Sequence, residues 1–272
     1  MGLRIDLCSY DAANLASGPL AWLSRMPSEW RKRGLEVRVR LFSWQNSERG
    51  AAFVALREAG FEVTSTVFRD TATNVRWLLE QARESPPDLF VANHVVPAWY
   101  AGAYFRPAGI PTVGILRSDD AFYHDLIRQF VSGARPFRPS AIVAVSHRLV
   151  ESVDKSRTPE TRVRWIPSGT PPPRMRAPSS QPGHFRVAYV GRFVEEQKCL
   201  RETVGALIRT TREIPGAGAV LYGDGPERAY LEERLGASDA AGVKFGGSLA
   251  AEQIPGKLRE CHAIVLLSDY EG

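Results

Sequence analysis

The sequence has little cysteine and no long apolar run, and these shortages exclude several classes of protein. Its three cysteines (Cys8, Cys199 and Cys261) lie far apart and form no CxxC pair. This excludes a disulfide framework and a cysteine zinc site, and it favours a reducing compartment. No apolar stretch approaches the roughly 18 residues of a membrane-spanning helix. No basic segment followed by an apolar run opens the chain, so we expect no signal peptide and a cytoplasmic protein.

Lysine is also scarce, because 30 of the 35 basic residues are arginine. The planar arginine fork suits phosphate and carboxylate groups, although a biased nucleotide composition of the gene is the simpler explanation of the excess. The basic residues are scattered, and the formal net charge is only +5. We therefore expect no nucleic-acid partner, whereas anionic substrates or a membrane surface are compatible with this charge.

Strand-length apolar runs alternate with helical stretches along the chain of 272 residues. Such alternation is typical of α/β proteins, in which helices cover both faces of a parallel sheet. The predicted strands are 3–8, 35–42, 61–66, 88–92, 112–116, 141–145 and 163–166 in the first part, and 185–190, 219–222, 243–245 and 263–267 in the second. A helix predicted over 199–212 carries an apolar stripe, made of Leu200, Val204, Leu207 and Ile208.

A segment rich in proline, glycine and serine, residues 167–184, interrupts this alternation. No regular element is expected at that density of proline. The sequence therefore predicts a Rossmann-like domain over 1–168, a linker over 169–184 and a second Rossmann-like domain over 185–272. The second domain ends just after an apolar strand, which would leave a bare sheet edge. We expect either a domain truncated at its C-terminus or another cover for that edge.

The strongest chemical signal follows the strand predicted over 185–190. This strand runs into Gly191 and Arg192, and Lys198 follows at the predicted start of a helix. Ligands bind at the carboxyl ends of strands in open α/β sheets, and a helix N-terminus with two cations beside it favours an anion. The alternative is a solvated Arg192 and a lysine that merely flanks a helix.

Two further strand ends carry glycine turns. Residues 223–227 read GDGPE, and the strand at 243–246 ends in Gly246. Glycine permits sharp turns and close backbone approach, but ordinary turn chemistry explains either turn alone. Glu271 follows the last strand and precedes a glycine, where an acid would bind sugar hydroxyls.

Taken in order, these features resemble glycosyltransferase family 4, the retaining, nucleotide-sugar-dependent group with the GT-B fold. The matching residues are VGR at 190–192 with Lys198, GDGPE at 223–227, VKFG at 243–246 and SDYEG at 268–272. The resemblance covers essentially the whole chain and is strongest from Arg186 onward. It implies two Rossmann-like parallel-sheet domains facing a cleft, the first on the acceptor side and the second, incomplete, binding the donor.

The resemblance also implies roles for single residues. Arg192 and Lys198 would hold the donor diphosphate, Glu271 would contact the transferred sugar or the phosphate region, and the backbone near Leu249 would meet the base. In the looser N-terminal match, Gly18 lies in the loop after the first strand, which approaches donor and acceptor. His94 matches the second histidine of the family's DVVHAH strand.

The implied activity is a hexosyl transfer, with retention, from a nucleotide sugar to an acceptor. The acceptor would be a saccharide, a lipid-linked molecule or another envelope precursor. Neither a cofactor nor an essential metal is implied, and peripheral contact with the inner face of a membrane is compatible with this function.

Two departures from the family pattern stand out. The family often has a histidine after the strand that begins P-x-V, whereas this sequence has Arg117 there, followed by Asp119 and Asp120. Arginine would bind a phosphate or an acceptor carboxylate, so Arg117, Asp119 and His94 are the candidate catalytic residues; alternatively, Arg117 pairs with Asp119 or Asp120. The second glutamate of the family's Glu-x7-Glu motif would fall at position 279.

These departures keep two other functions open. A truncated or divergent homologue without catalysis would act as a binding or fragment protein. An oxidoreductase or a sugar epimerase on a similar fold would need GxGxxG after the first strand with an acid about 20 residues on, and residues 9–18 lack that spacing.

Overall fold

A computed structural model of the chain describes residues 2–13, 18–45, 48–169, 185–236, 240, 242–250 and 252–272. The chain forms two units, one of Met1–Gly169 with Glu271–Gly272 and one of Thr170–Tyr270. The predicted linker, residues 169–184, lies outside the described residues from position 170 onward.

The first unit is built on a seven-stranded parallel sheet with the strand order β3-β2-β1-β4-β5-β6-β7. The strands are β1 (Arg4–Tyr10), β2 (Glu36–Ser43), β3 (Glu62–Val67), β4 (Leu89–Asn93), β5 (Thr112–Leu116), β6 (Ala141–Ala144) and β7 (Arg162–Trp165). The helices are α1 (Gly18–Lys32), α2 (Ala51–Glu58), α3 (Thr71–Glu84), α4 (Val96–Phe105), α5 (Ala121–Leu126, continued by a π-helical turn over Ile127–Val131) and α6 (His147–Asp154). The predicted α/β class and parallel sheet are thereby confirmed.

Apolar side chains from both faces of this sheet form two core clusters. On one face, Leu20 and Leu23 of α1 and Leu56 of α2 pack against β1 and β2. The other cluster joins α3 and α4 to the sheet and includes Leu78 and Trp99. Helices cover both faces of the sheet, so the carboxyl ends of its parallel strands are the part left uncovered. Polar residues that bind ligands lie at this edge in open α/β sheets.

The strand β2 is buried on both faces, although apolar and charged residues alternate along its sequence. Seven of its eight residues are buried, including Arg38 and Arg40, which are only 2% and 3% exposed. Their Nε atoms lie 2.6 Å and 3.4 Å from the two carboxylate oxygens of Asp6 on β1. An ion pair therefore permits charged residues on a strand face that would otherwise hold apolar side chains.

The second unit has a four-stranded parallel sheet with the order β10-β9-β8-β11. The strands are β8 (Phe185–Val190), β9 (Ala217–Tyr222), β10 (Val243–Gly247) and β11 (Ala263–Ile264). Its helices are α7 (Glu195–Lys198), α8 (Leu200–Glu213), α9 (Arg228–Gly236) and α10 (Ile254–Leu258). The predicted stripe of α8 is buried, whereas Ile264, Leu266 and Leu267 at the last strand are exposed. Among the helices described in the two units, none is long and apolar enough to cross a membrane.

Candidate functional site

In the first unit, one buried amide joins the ends of three neighbouring strands. Asn93 is the last residue of β4 and is completely buried. Its Nδ2 donates to the Ser9 hydroxyl of β1 at 3.1 Å, and its Oδ1 accepts from Arg117 Nε, just after β5, at 2.6 Å. The asparagine therefore fixes the position of Arg117 at the carboxyl edge of the sheet.

Among the described residues, an amide and an aromatic ring hold Arg117, rather than a carboxylate. Its guanidinium carbon lies 3.9 Å from the ring centroid of Trp22 in α1, a cation–π contact. Burial lowers the pKa of Arg117 to about 10, because the charged guanidinium is partly removed from water. The alternative pairing with Asp119 or Asp120 is wrong, since both carboxylates are engaged elsewhere.

The two acids after Arg117 serve the local structure. Asp119 accepts from His124 Nε2 at 2.8 Å and forms an ion pair with Arg148. The Asp120 carboxylate accepts from the Tyr123 backbone N–H at 3.0 Å and so caps the N-terminus of α5. Asp119 is therefore a fixed carboxylate near the strand end rather than a partner of Arg117.

His94 directly follows β4 with a positive φ of 65°, a backbone conformation that is uncommon outside glycine. Its Nδ1 lies 2.6 Å from the Tyr123 hydroxyl, and its ring contacts Tyr10 and Phe122. Burial lowers the His94 pKa, Asp120 opposes this change, and Arg117 adds to it. Burial also raises the pKa of Tyr123. The hydrogen bond therefore joins a neutral imidazole to a protonated tyrosine hydroxyl.

The other two predicted site residues of this unit are Gly18 and Glu271. Gly18 is the exposed first residue of α1, while residues 14–17 of the preceding loop lie outside the described residues. Glu271 groups with the first unit, and its backbone carbonyl accepts from the Asp119 N–H at 2.8 Å.

In the second unit, backbone hydrogen bonds join the loops that follow three adjacent strands. Phe193 N–H donates to the Asp224 carbonyl at 2.8 Å, and Gly223 N–H donates to the Gly247 carbonyl at 3.0 Å. Gly223 and Gly225 have φ values of 147° and 155°. A Cβ on Gly225 would lie 2.5 Å from the Phe193 carbonyl oxygen. The GDG turn thus needs glycine to bring these loops together.

Arg192 lies in the first of these loops and is exposed. Its Nη2 donates to the Gln197 side-chain oxygen at 2.7 Å. Gln197 is itself buried; its Nε2 donates to the Tyr270 carbonyl at 3.3 Å, and its carbonyl accepts from Asp269 N–H at 3.0 Å. A neutral amide therefore orients the arginine without neutralising its charge.

The helix predicted over 199–212 is observed as α8, Leu200–Glu213, and a short helix that was not predicted precedes it. Lys198 is half-buried and ends this short helix α7. Cys199, with φ 43°, separates α7 from α8. The Glu195 carboxylate accepts the Arg201 backbone N–H at 3.0 Å, so the protein's own acid caps the N-terminus of α8. The Glu195 carboxylate thus occupies one of the N–H groups that an anion would use at the start of α8, and an anion site at this helix end stays a prediction.

The remaining donor-side residue, Leu249, is half-buried in the loop after β10. This loop closes on the side chain of Gln253, whose oxygen accepts from the Ala250 N–H at 2.9 Å. Among the residues that the structure describes, no three or more His, Cys, Asp or Glu side chains cluster as metal ligands would.

Four residues that hold these sites together were not predicted from the sequence. Trp22, Asn93, Tyr123 and Gln197 hold the candidate residues in place. Asn93 gave a usable signal, because it is a polar residue at the end of an apolar strand. The other three act through contacts that only the tertiary structure reveals.

The fold is shared with solved glycosyltransferases. The lipopolysaccharide outer core galactosyltransferase WaaB, in its apo form, aligns over 98% of this chain and 74% of its own, with TM-score 0.69 and 16% identity. A glycosyltransferase from Rickettsia africae aligns over 98% and 73%, with TM-score 0.70 and 11% identity. The pneumococcal O-GlcNAc transferase GtfA, in complex with UDP and GlcNAc, aligns over 99% and 80%, with TM-score 0.69 and 10% identity. At these identities the similarity establishes the GT-B fold.

The sequence comparisons agree with this fold. No curated protein sequence matches the chain. The family model described as Glycosyltransferase Family 4, however, matches residues 25–174, which is more than half of the chain. The chain therefore belongs to glycosyltransferase family 4.

Proposed function

We propose that this glycosyltransferase moves a hexosyl group from a nucleotide-sugar donor to an acceptor with retention of configuration. The observation that carries the proposal is Arg192, an exposed arginine at the carboxyl edge of the second sheet, oriented by the neutral amide of Gln197. Family membership supports the reaction class. The fold of the chain, shared with a transferase solved with UDP, supports the donor class.

The second unit, which includes residues 185–270, is the proposed donor-binding domain. Arg192 and Lys198 bind the diphosphate of the donor, and the backbone near Leu249 contacts its base. As the bond between sugar and phosphate breaks, negative charge accumulates on the departing nucleoside diphosphate. Two cations fixed beside it stabilise that charge, which lowers the barrier without a covalent step by the protein.

The first unit, residues 1–168, is the proposed acceptor-side domain. The hydrogen bond between His94 Nδ1 and the Tyr123 hydroxyl orients the imidazole, and its other ring nitrogen, Nε2, forms a hydrogen bond with a bound sugar. Arg117 and Asp119 bind and orient polar groups of the acceptor, and Gly18 and Glu271 lie close to the transferred sugar. The rate enhancement comes from positioning the two substrates.

The proposed acceptor is a saccharide or a lipid-linked molecule of envelope biosynthesis. This proposal is supported by similarity in fold to a lipopolysaccharide outer core galactosyltransferase. We propose that the protein acts in the cytoplasm, with peripheral contact to the membrane where a lipid-linked acceptor is presented.

Isothermal titration with UDP, GDP, ADP and dTDP tests the donor site. We expect one of these nucleotides to bind the wild-type chain. Arg192→Gln should weaken that binding at least tenfold, since it removes a charge-assisted contact to phosphate worth about 1.5–3 kcal/mol. Arg212→Gln is the matched control, because Arg212 lies exposed on α8 of the same unit, and it should bind like wild type. Equal affinities for wild type and Arg192→Gln would refute the donor site.

A further inference from the structure

Two buried arginines of the first unit, Arg38 and Arg40, differ from the partly buried Arg117 in what surrounds their charge. Arg38 and Arg40 both contact the carboxylate of Asp6. Arg117 contacts instead the neutral oxygen of Asn93 and the face of Trp22. A guanidinium partly removed from water is favoured by an anion beside it, and these two neighbours supply none.

The acids that follow Arg117 in the chain are already committed. Asp119 contacts His124 and Arg148, and Asp120 caps α5. Neither is available to neutralise Arg117 without breaking these contacts. Asp119 and Asp120 therefore do not supply the negative charge that would neutralise Arg117.

Two hydrogen-bond donors at this strand end are also unsatisfied. Within the described part of the chain, Arg117 Nη2 and the Ser118 hydroxyl are buried and have no hydrogen-bond partner. Buried polar atoms without partners are rare in native structures and mark places where a ligand or ion completes the network. Both residues keep part of their surface exposed, and a ligand would lie on that solvent side.

We infer that Arg117, assisted by Ser118, binds a phosphate or carboxylate group carried by the acceptor. The Trp22 ring and Asn93 fix the plane of the guanidinium, and Nη2, which lacks a partner among the described residues, donates with the Ser118 hydroxyl to the oxygens of the anion. That the anion belongs to an acceptor rests on the proposed function. The site for the anion rests only on the contacts of Arg117 and Ser118.

The first experiment titrates the full 272-residue chain with glycerol 1-phosphate, with glycerol as the neutral reference. We expect the phosphate to bind and glycerol not to bind. Arg117→Gln should weaken phosphate binding at least tenfold. Arg128→Gln should stay within twofold of wild type, because Arg128 is an exposed arginine of the same unit, paired with Asp125. Absence of phosphate binding to wild type, or equal binding by Arg117→Gln, would overturn the inference.

Circular dichroism shows whether Arg117→Gln folds. If it does not fold, a second variant, Arg117→Lys, still tests the site. Arg117→Lys keeps the positive charge but loses the planar fork and the stacking on Trp22. It should bind glycerol 1-phosphate at least threefold more weakly than wild type. Binding at the wild-type affinity would contradict the proposed role of the fork.

Nucleotide titrations then separate the two sources of an anion. Arg117→Gln should keep its affinity for the nucleoside diphosphate, whereas Arg192→Gln should lose it and keep glycerol 1-phosphate. A tenfold loss of nucleotide affinity in Arg117→Gln would assign the anion to the donor and overturn the acceptor assignment. If no nucleotide binds but the phosphate still needs Arg117, the proposed function fails while the anion site stands.

Discussion

Single side chains at the strand ends determine how the polar residues of the first unit are arranged. The amide of Asn93 connects Ser9 with Arg117, and the hydroxyl of Tyr123 fixes the ring of His94. Both supporting residues are buried. The candidate residues are therefore held by polar groups that lie within the core rather than by flexible surface contacts.

The sequence identified Arg117 as a departure from the family pattern. It did not reveal the contacts of this side chain, and such contacts were the least predictable feature of the molecule. An arginine after a strand is visible in the sequence, but its partners are not. Trp22 lies about 95 residues earlier in the chain, so its contact with Arg117 depends on the whole sheet being formed. The pairing with Asp119 or Asp120 considered from sequence proximity was wrong, because helix capping and His124 compete for these carboxylates.

His94 gives a pH-dependent prediction for stability. Burial lowers its pKa in the folded chain, whereas in the unfolded chain it titrates near 6.5. The unfolded state therefore binds the proton more readily, and the free energy of unfolding should fall as the pH drops below about 6.5. His94→Gln should show a smaller loss of stability than wild type in urea unfolding compared at pH 7.5 and 5.5.

The matched control for this titration is His147→Gln. His147 is an exposed residue that contacts Trp165 at the start of α6. We expect this variant to lose as much stability on acidification as wild type does. An identical loss in wild type and His94→Gln would contradict the neutral state assigned to His94.

Whole elements were predicted better than single contacts where their sequence pattern was simple. β5 and β8 have the predicted bounds, and the apolar stripe of α8 is buried. The helix α4 was not predicted, because six of its ten residues are buried and apolar side chains surround it on most sides. A helix buried in this way carries no alternation between apolar and polar faces for a sequence pattern to reveal.

The loops after β8, β9 and β10 were predicted as turns, but the hydrogen bonds that join them to one another were not predicted. Glycine at 223 and 225 indicated tight turns, whereas the bonds from Phe193 to Asp224 and from Gly223 to Gly247 require the strand order. The sequence proposed Arg192 and Lys198 as ligands of the donor diphosphate, and this stays a prediction. The role of Gln197 was not, since a glutamine in a short helix carries no distinctive pattern.

Replacement of Gly225 tests whether the GDG turn needs glycine. Gly225→Ala places a methyl group 2.5 Å from the Phe193 carbonyl oxygen at a strained φ. The loop must shift, and we expect a loss of about 1–3 kcal/mol in the free energy of unfolding, together with weaker nucleotide binding. Chemical denaturation and isothermal titration measure the two effects.

Gly205→Ala is the control for this variant. Gly205 lies within α8, and a Cβ there has nothing within 4 Å. Alanine favours the helix, so this change should stabilise the protein by about 0.5–1 kcal/mol and leave nucleotide affinity unchanged. If the two alanine variants behave alike, the turn does not require glycine at position 225.

At the scale of the whole molecule, alternation of strands and helices was enough to predict the α/β class, and ordered motifs were enough to identify the family. Both follow from patterns that extend over many residues and tolerate local errors of a few positions. The seven-stranded order of the first sheet follows from pairing between distant strands, which periodicity alone does not specify.

Hydrogen–deuterium exchange of the whole chain, with and without the nucleoside diphosphate that binds, shows whether this edge of the second sheet holds the donor. We expect slower exchange in residues 191–198, 223–227 and 247–250, where the loops of the second sheet meet. Protection confined to other segments, with these three loops exchanging as fast as in the free protein, would contradict the assignment of this edge as the donor site.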